Sequence, residues 1–124
     1  MDSNSLGTYA EYKFAAECIK RGYEVSFPLK DSSIYDCIID DGNKVHKIQV
    51  KATAKKILYE NRKTIQVPLQ NNKQQYTPAK VDYFAIWSEF FNGFFIVKNT
   101  GNMQSLRLGI IGKYSENFNN FAFE

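Results

Sequence analysis

Cysteine, histidine and proline are scarce in this chain, and it has no long apolar run. There are two cysteines, Cys18 and Cys37, and one histidine, and no CxxC or Cys/His metal spacing occurs. This argues against a zinc site, and we expect both thiols to be reduced and buried. No stretch approaches the roughly 20 apolar residues of a membrane span, and the first residues lack the basic and apolar regions of a signal peptide. We therefore expect a cytoplasmic protein with no membrane contact.

Acidic residues are scarce in the middle of the chain. Between Lys44 and Lys80, nine basic residues stand against one acidic residue, Glu60, which gives this segment a net charge of +8. The other seven basic and twelve acidic residues give the rest of the chain a net charge of −5. The basic segment is also rich in glutamine and asparagine. Such a segment is either a solvated surface or the binding surface for a polyanion such as nucleic acid, and charge alone does not decide between them.

What is present is enough apolar sequence, 44% of 124 residues, for one compact core. We predict a single domain over residues 1–124, of the α/β or α+β class, with one helix followed by a mixed sheet. The helix is predicted at 5–21, with Ser5 as its N-cap and Gly22 as its C-terminal stop. The predicted strands are 23–29, 34–40, 45–54, 63–69, 81–87 and 94–97, with a further edge strand at 106–111 and a polar loop or short helix at 71–80.

Two acidic residues lie on faces that the pattern predicts to be apolar. On a helical wheel Glu11 falls inside the apolar stripe of the helix. Asp36 shares its strand face with Ile34 and Ile38, because alternate residues of a strand point the same way. A carboxylate on an apolar face is costly unless it is paired or binds a ligand. For Glu11 the alternative is a side chain whose carboxylate reaches solvent near the start of the helix.

An Asp-Gly pair at 41–42 predicts a hairpin between the second and third strands. A loop of four residues would set Asp36 opposite Gln49, and a loop of two residues would set it opposite Lys47 and diagonal to Gln49. In both registers Asp36, Gln49 and Lys51 lie on one side of the sheet.

Glu11, Asp36, Gln49 and Lys51 together offer the groups that phosphodiester hydrolysis needs. That reaction needs a hard cation, oxygen ligands that hold it, and a cationic or basic group that orients the attacking water. Asp36 and Gln49 offer side-chain oxygens, Val50 offers its backbone carbonyl, and Glu11 offers a second carboxylate. Mg²⁺, or Mn²⁺, suits this oxygen set. Lys51 next to a cation is expected to have a lowered pKa and to orient or deprotonate water.

At these residues the chain resembles the PD-(D/E)XK nuclease superfamily, and within it the group I intron-associated endonucleases. The resemblance is carried by AE at 10–11, RGYEV at 21–25, YD at 35–36, QVK at 49–51 and VDYFAI at 81–86, in the family's order and spacing. It covers nearly the whole chain, whereas the D-x12-Q-x-K spacing alone is a weak signal. It implies a restriction-endonuclease-like core, in which an N-terminal helix packs on a mixed β-sheet with further β-hairpins.

Residue by residue, the resemblance implies that Asp36 and Gln49 belong to the metal site, that Lys51 is the catalytic lysine and that Glu11 is the acid on the helix. Tyr35 stands where the superfamily's name has proline, and Gln49 stands where it has Asp or Glu. The glutamine removes one negative charge, so we expect weaker metal binding or a single tightly held ion. The intron-associated group tolerates glutamine at this position, so the resemblance implies an active enzyme.

Further residues are predicted to contact double-stranded DNA. Basic side chains after Lys51 would bind phosphates on either side of the scissile bond, which sets register but reads no sequence. Side-chain amides would read bases, because they pair bidentately with adenine. The candidates are Ser32, Ser33, Lys55, Lys56, Arg62, Lys63, Gln66, Gln70, Lys73, Gln74 and Gln75. For the glutamines and asparagines the alternative is an ordinary solvated loop.

The leading hypothesis is a magnesium-dependent, sequence-specific DNA endonuclease of the intron-homing kind. One small domain cuts one strand, so duplex cleavage requires a homo-oligomer, a dimer or tetramer. The predicted contact consists of exposed aromatic residues: Phe90, Phe91, Phe118 and Phe121.

Two rival hypotheses remain. A Holliday junction resolvase has the same fold and a serine in the loop before the aspartate, here Ser32 or Ser33. A non-catalytic DNA-binding or inhibitor protein on the same fold would show no Mg²⁺-dependent nicking.

Overall fold

The computed structural model describes residues 1–30, 32–69 and 76–123. These residues contain one α-helix, α1, Ser3–Lys20, and seven strands. The strands are β1 Glu24–Ser26, β2 Cys37–Asp40, β3 Val45–Thr53, β4 Ile65–Pro68, β5 Tyr83–Ser88, β6 Gly93–Lys98 and β7 Ser105–Leu108, followed by a short 3₁₀-helix, Ser115–Asn117. The α/β class predicted from the sequence is confirmed.

Helix α1 begins earlier than predicted. Asp2 is its N-cap, and the side chain of Asp2 accepts the backbone N–H of Ser5 at 2.7 Å. The prediction of Ser5 as the cap is therefore wrong, because the carboxylate upstream already satisfies a free N–H of the first turn. The helix ends next to Gly22, whose φ of +86° is a conformation that favours glycine.

Five strands form the main sheet in the order β1-β2-β3-β5-β6. β3 and β5 run parallel, and the other neighbours run antiparallel, so the sheet is mixed. Helix α1 packs on one face of this sheet. The buried cluster between them contains Leu6, Ala10, Phe14, Cys18, Cys37, Ile39, Ile48, Val50, Ala85, Trp87, Phe94 and Ile96.

Strands β4 and β7 form a second, two-stranded antiparallel sheet. Val67 and Leu106 of this ribbon belong to a second buried cluster with Phe84, Ile86 and Phe95 of β5 and β6. The ribbon therefore lies on the opposite face of the main sheet from α1. The predicted edge strand at 106–111 is wrong in its partner, since β7 pairs with β4 instead of extending the main sheet.

The C-terminal segment takes up part of the β6 edge instead. Phe118 forms an antiparallel bridge with Phe95, and the side-chain amide of Asn117 donates to the carbonyl of Ile96 at 2.9 Å. These contacts satisfy backbone groups that an added strand would otherwise pair. In this way the chain terminates the sheet after β6.

The aromatic residues predicted to form an oligomer contact are mostly used inside the molecule. Phe121 is 5% exposed and its ring lies 5.8 Å from that of Phe14. Phe91 and Phe118 are half-buried, with ring centroids 6.4 Å apart. Phe90, which is 46% exposed, is the member of the four that keeps a large exposed surface. The prediction of an exposed ring is wrong for Phe121, which belongs to the buried cluster under α1, while Phe91 and Phe118 pack partly against the second cluster.

Both thiols lie in the interior, as predicted. Cys18 and Cys37 are free and buried, and burial raises the pKa of the Cys18 thiol to about 12. None of the helices in the described part of the chain combines the length and the apolar character needed to cross a membrane.

Candidate active site

Asp36 stands at the point where strands β2 and β3 separate. Their pairing begins with Cys37 opposite Ile48 and ends with Asp40 opposite Val45. This is the register of a four-residue loop, and it brings position 36 next to position 49 on the neighbouring strand.

The Asp36 side chain is held by β3. Val50 lies beyond the paired region, and its backbone N–H donates to Oδ2 of Asp36 at 2.7 Å. The backbone N–H of Asp36 in turn donates to the carbonyl of Ile48 at 2.8 Å. The carboxylate therefore accepts a backbone N–H that the carbonyl of a paired strand would otherwise accept, and this bond fixes the orientation of the side chain.

Glu11 reaches the same place from helix α1. It lies one residue after Ala10, which is buried against the sheet, and its half-buried carboxyl group lies beside that of Asp36, where one can donate a hydrogen bond to the other when protonated. Burial, together with the charge of Asp36 and this shared hydrogen bond, raises the pKa of Glu11 to about 7. A protonated Glu11 donating to an ionised Asp36 is the arrangement that suits two acids in contact.

The pKa of Asp36 is raised as well. Burial is the largest cause, and it is opposed by the hydrogen bonds from Val50 and Glu11 and by the charge of Lys51. Two carboxyl groups with raised pKa values, side by side at the edge of a strand, form an environment that favours a positive charge between them.

Lys51 provides a positive charge nearby. It lies on β3 opposite Ile86 of β5, and Gln49 lies opposite Phe84, so both side chains are on the face away from α1. Burial lowers the pKa of Lys51, and the charge of Asp36 opposes this change. The ammonium group donates to the hydroxyl of Tyr76 at 3.3 Å and lies 4.9 Å from the centre of the Tyr76 ring.

The four residues chosen from the sequence therefore lie at one place in the fold. Asp36 interacts with both Glu11 and Lys51, and the strand register sets Gln49 beside Asp36. Among the described residues, no group of three or more histidine, cysteine, aspartate or glutamate side chains is arranged to hold a metal ion. The donor set here consists of two carboxylates, a side-chain amide and backbone carbonyls.

A groove opens directly after β3. It has a volume of about 420 Å³, and its lining includes four predicted DNA-contacting residues, Lys55, Lys56, Arg62 and Gln66. All four are exposed. The ammonium group of Lys55 donates to the backbone carbonyl of Gln66 at 2.7 Å, and this bond joins the loop after β3 to strand β4. Lys55 is thus partly a structural residue of the groove.

The other predicted DNA-contacting residues are placed less closely together. Lys63 is exposed but does not line the groove. Ser32 is exposed and Ser33 is half-buried, in the loop that leads to Asp36. Four more lie outside the described residues: Gln70, Lys73, Gln74 and Gln75.

Two residues of this region were not chosen from the sequence. Tyr76 contacts the Lys51 ammonium group across 25 positions of chain, a distance at which no local pattern pairs them. Arg107 is exposed on β7 opposite Gln66, so it adds a cation beside the groove. The alternation of polar and apolar residues at 105–108 predicts that Arg107 is exposed on a strand. The pairing of that strand with β4 depends on the tertiary fold.

Comparisons with known proteins agree with this architecture. A family model described as PD-(D/E)XK endonuclease matches residues 1–119. Among solved structures, the bacterial homing endonuclease I-Ssp6803I is similar, with a TM-score of 0.72 and 19% identity over 95% of this chain and 87% of that one. At this identity the structural likeness concerns the fold. No curated protein sequence matches the chain.

Proposed function

Because the chain belongs to the PD-(D/E)XK endonuclease family, which supports a nuclease function, we propose that it is a Mg²⁺-dependent DNA endonuclease of the intron-homing kind, which cuts duplex DNA at a specific sequence. The observation that carries the proposal is the contact between Glu11 and Asp36 beside the Lys51 ammonium group. These three side chains come from helix α1, from the residue before β2 and from strand β3, and they bring two acids and a lysine together.

The donor set fits a hard divalent cation. Mg²⁺ in proteins is held by one or two carboxylates together with carbonyl oxygens and waters. Asp36 and Glu11 would supply the carboxylates, and Gln49 and the carbonyl of Val50 would supply neutral oxygens. Burial raises the pKa values of both acids, and the charge of Asp36 adds to the rise at Glu11; a bound cation would oppose both effects. When bound, such a cation neutralises the charge that develops on the phosphate during hydrolysis.

Lys51 has a separate part in the reaction. Its side chain lies on the face of β3 away from helix α1, and in the proposed reaction its ammonium group would face the scissile phosphate. There it orients the attacking water and stabilises negative charge on the phosphate oxygens. The lowered pKa that burial produces brings Lys51 closer to the range in which it can exchange a proton with water.

DNA would bind along the basic groove. Lys56 and Arg62 are exposed there and would contact phosphates near the scissile bond, while the Gln66 amide would reach base edges. The groove begins at Ala54, three residues after Lys51 and directly after β3, so phosphate contacts in it would set the register of the DNA on the active site. Ser32 and Ser33 would contact the DNA from the loop before Asp36.

Duplex cleavage further requires two active sites, so we propose a homo-oligomer, a dimer or a tetramer. The homing endonuclease to which the fold is similar supports the intron-homing assignment.

The test is cleavage of a randomised duplex DNA library by the purified protein with Mg²⁺, followed by sequencing of the new ends. The proposal predicts ends that share one sequence motif, and no new ends when EDTA replaces Mg²⁺. Lys47→Ala is a matched control for Lys51→Ala, because Lys47 lies on the same face of β3 but donates to the carbonyl of Ala79.

Two results would contradict the proposal. Ends without a shared motif, together with faster cleavage of a synthetic four-way junction than of any linear duplex, would assign the protein to the junction resolvases. Absence of cleavage of every substrate with Mg²⁺ or Mn²⁺ would assign it to the non-catalytic DNA-binding proteins.

A further inference from the structure

Tyr76 is almost completely buried although it carries a polar hydroxyl group. Its exposed fraction is 3%, and it belongs to the apolar cluster between the main sheet and the β4-β7 ribbon. Its ring packs edge-on against Phe84 of β5, with the centroids 5.6 Å apart. The residue is therefore fixed in the layer that lies over Lys51.

The backbone of Tyr76 is fixed too. The side-chain amide of Asn99, which is 4% exposed, donates to the carbonyl of Tyr76 at 2.8 Å and to that of Val81 at 2.9 Å. One buried asparagine, directly after β6, thus holds the backbone at both ends of residues 76–81. With ring and backbone both held, Tyr76 has one position relative to the sheet.

From that position Tyr76 contacts Lys51 in two ways. The Lys51 ammonium donates to the phenol oxygen at 3.3 Å, and it also lies over the ring, 4.9 Å from its centre. A lysine side chain has four rotatable bonds and loses much rotamer freedom when it is fixed. A rigid phenol that offers both a hydroxyl acceptor and a π face restricts that freedom before substrate arrives.

We propose that Tyr76 is a positioning residue that holds the Lys51 ammonium group on the phosphate side of Asp36. The proposal deepens the function proposed above, since it rests on Lys51 acting in hydrolysis. The hydroxyl and the ring act in the same direction, so the loss of the hydroxyl alone leaves part of the effect. Tyr76 itself makes no contact with the reacting atoms in this account.

The kinetic test compares Tyr76→Phe with Tyr114→Phe under single-turnover conditions, on a duplex that carries the site selected from the library. Tyr114 is a matched control because it packs against the same apolar cluster and its ring lies by Lys113 instead of Lys51. Tyr76→Phe is expected to lower the cleavage rate about tenfold, the effect of losing one hydrogen bond to a charged group. DNA affinity should stay within about twofold, because phosphate contacts dominate it. Tyr114→Phe should cleave as the unmodified protein does.

A second readout needs neither DNA nor metal. In protein labelled with ¹³C and ¹⁵N at lysine, the Hε protons of Lys51 should be shifted upfield of other lysines by the Tyr76 ring, with the signal assigned by its loss in Lys51→Arg. The shift should persist in Tyr76→Phe and Tyr114→Phe and disappear in Tyr76→Leu. If Tyr76→Leu does not fold, the unmodified protein still decides, because an unshifted Lys51 signal contradicts the contact.

The outcomes separate the two proposals. Full cleavage by Lys51→Ala would contradict the role of Lys51 in the proposed function, whatever Tyr76 does. Cleavage by Tyr76→Phe at the rate of the unmodified protein, with Lys51→Ala inactive, would overturn the inference about Tyr76 and leave the proposed function in place.

Discussion

Strand β2 is flanked by two aspartates, Asp36 immediately before it and Asp41 immediately after it, in opposite environments. Asp41 accepts the backbone N–H groups of Asn43 and Lys44, each at 2.8 Å, and lies 2.8 Å from the His46 ring. The Lys44 N–H, the His46 ring and the Asn43 N–H together lower the pKa of Asp41 to about 2. Asp36 is half-buried beside another acid, and burial raises its pKa.

This difference distinguishes a structural carboxylate from a candidate functional one. The negative charge of Asp41 is stabilised by donors within its own turn, so it stabilises the hairpin and needs no ligand. Burial works against the ionisation of both Asp36 and Glu11, so their ionised pair is favoured when a cation binds. Acids whose burial works against ionisation are more common at active sites than at turns.

The largest effect is expected from removing the acid or the base of the site. Asp36→Ala and Lys51→Ala should lower the cleavage rate at least about a thousandfold, because each removes a group from the chemical step. Cleavage of the selected duplex in Mg²⁺ is the measurement, and circular dichroism checks that the fold is kept. Full activity in either variant would falsify the assignment of that residue.

Glu11→Gln should have opposite effects on cleavage and on stability. We expect cleavage to slow by about ten- to a hundredfold, since a ligand oxygen loses its charge. The pKa of Glu11 is raised, so the folded protein holds a proton that the unfolded chain releases, and the stability conferred by this group falls as pH rises from about 4.5 to about 7.

In metal-free buffer at pH 8, Glu11→Gln should therefore increase the free energy of unfolding by about 1 kcal/mol, allowing for solvent screening. At pH 4 the two proteins should be equally stable. Urea unfolding at both pH values measures this. A variant less stable than the unmodified protein at pH 8 would show that the two acids are not in conflict.

Gln49→Glu should change the Mg²⁺ concentration needed for cleavage more than it changes the affinity for DNA. The added charge lies beside Asp36, so we expect half-maximal cleavage at about tenfold lower Mg²⁺ concentration. DNA affinity should change by less than about threefold, because the groove cations are unaltered. A Mg²⁺ titration of the cleavage rate, set beside a gel-shift titration in Ca²⁺, measures both. An unchanged Mg²⁺ midpoint would place Gln49 away from the cation.

Asp41→Asn is expected to have the smallest effect, and on stability alone. The asparagine keeps one acceptor for the turn but loses the carboxylate oxygen that lies 2.8 Å from the His46 ring, so the melting temperature should fall slightly at pH 7. Because the pKa of Asp41 is lowered to about 2, its stabilisation is present above about pH 4 and is lost as pH falls towards 2. The difference from the unmodified protein should therefore shrink in that range, and cleavage should be unchanged.

The residues around Asp36 were accessible to sequence reasoning because local periodicity places them. Alternation in β2 and β3 sets Asp36, Gln49 and Lys51 on one face, and the four-residue loop that the structure selects was one of two possibilities. The helical wheel placed Glu11 on the buried side of α1. These conclusions needed only the periods of strand and helix and one tight turn.

Tertiary contacts account for what was missed. The β4-β7 ribbon, the use of Phe121 in the core and the contact of Tyr76 with Lys51 all join positions far apart in the chain. Nothing in a local pattern indicates that residues 105–108 pair with β4 and not with the main sheet. The cap at Asp2 was missed for a different reason, since both Asp2 and Ser5 are good capping residues and the first apolar position did not decide between them.

Binding of Mn²⁺, followed by its electron paramagnetic resonance signal, tests the central claim without knowledge of the DNA site. Three metal-free proteins are titrated side by side: the unmodified chain, Asp36→Asn and Asp41→Asn. The account predicts that the unmodified chain and Asp41→Asn bind about one Mn²⁺ ion per chain with equal affinity and that Asp36→Asn binds at least about tenfold more weakly. Equal binding by all three proteins, or weakened binding in Asp41→Asn alone, would contradict it.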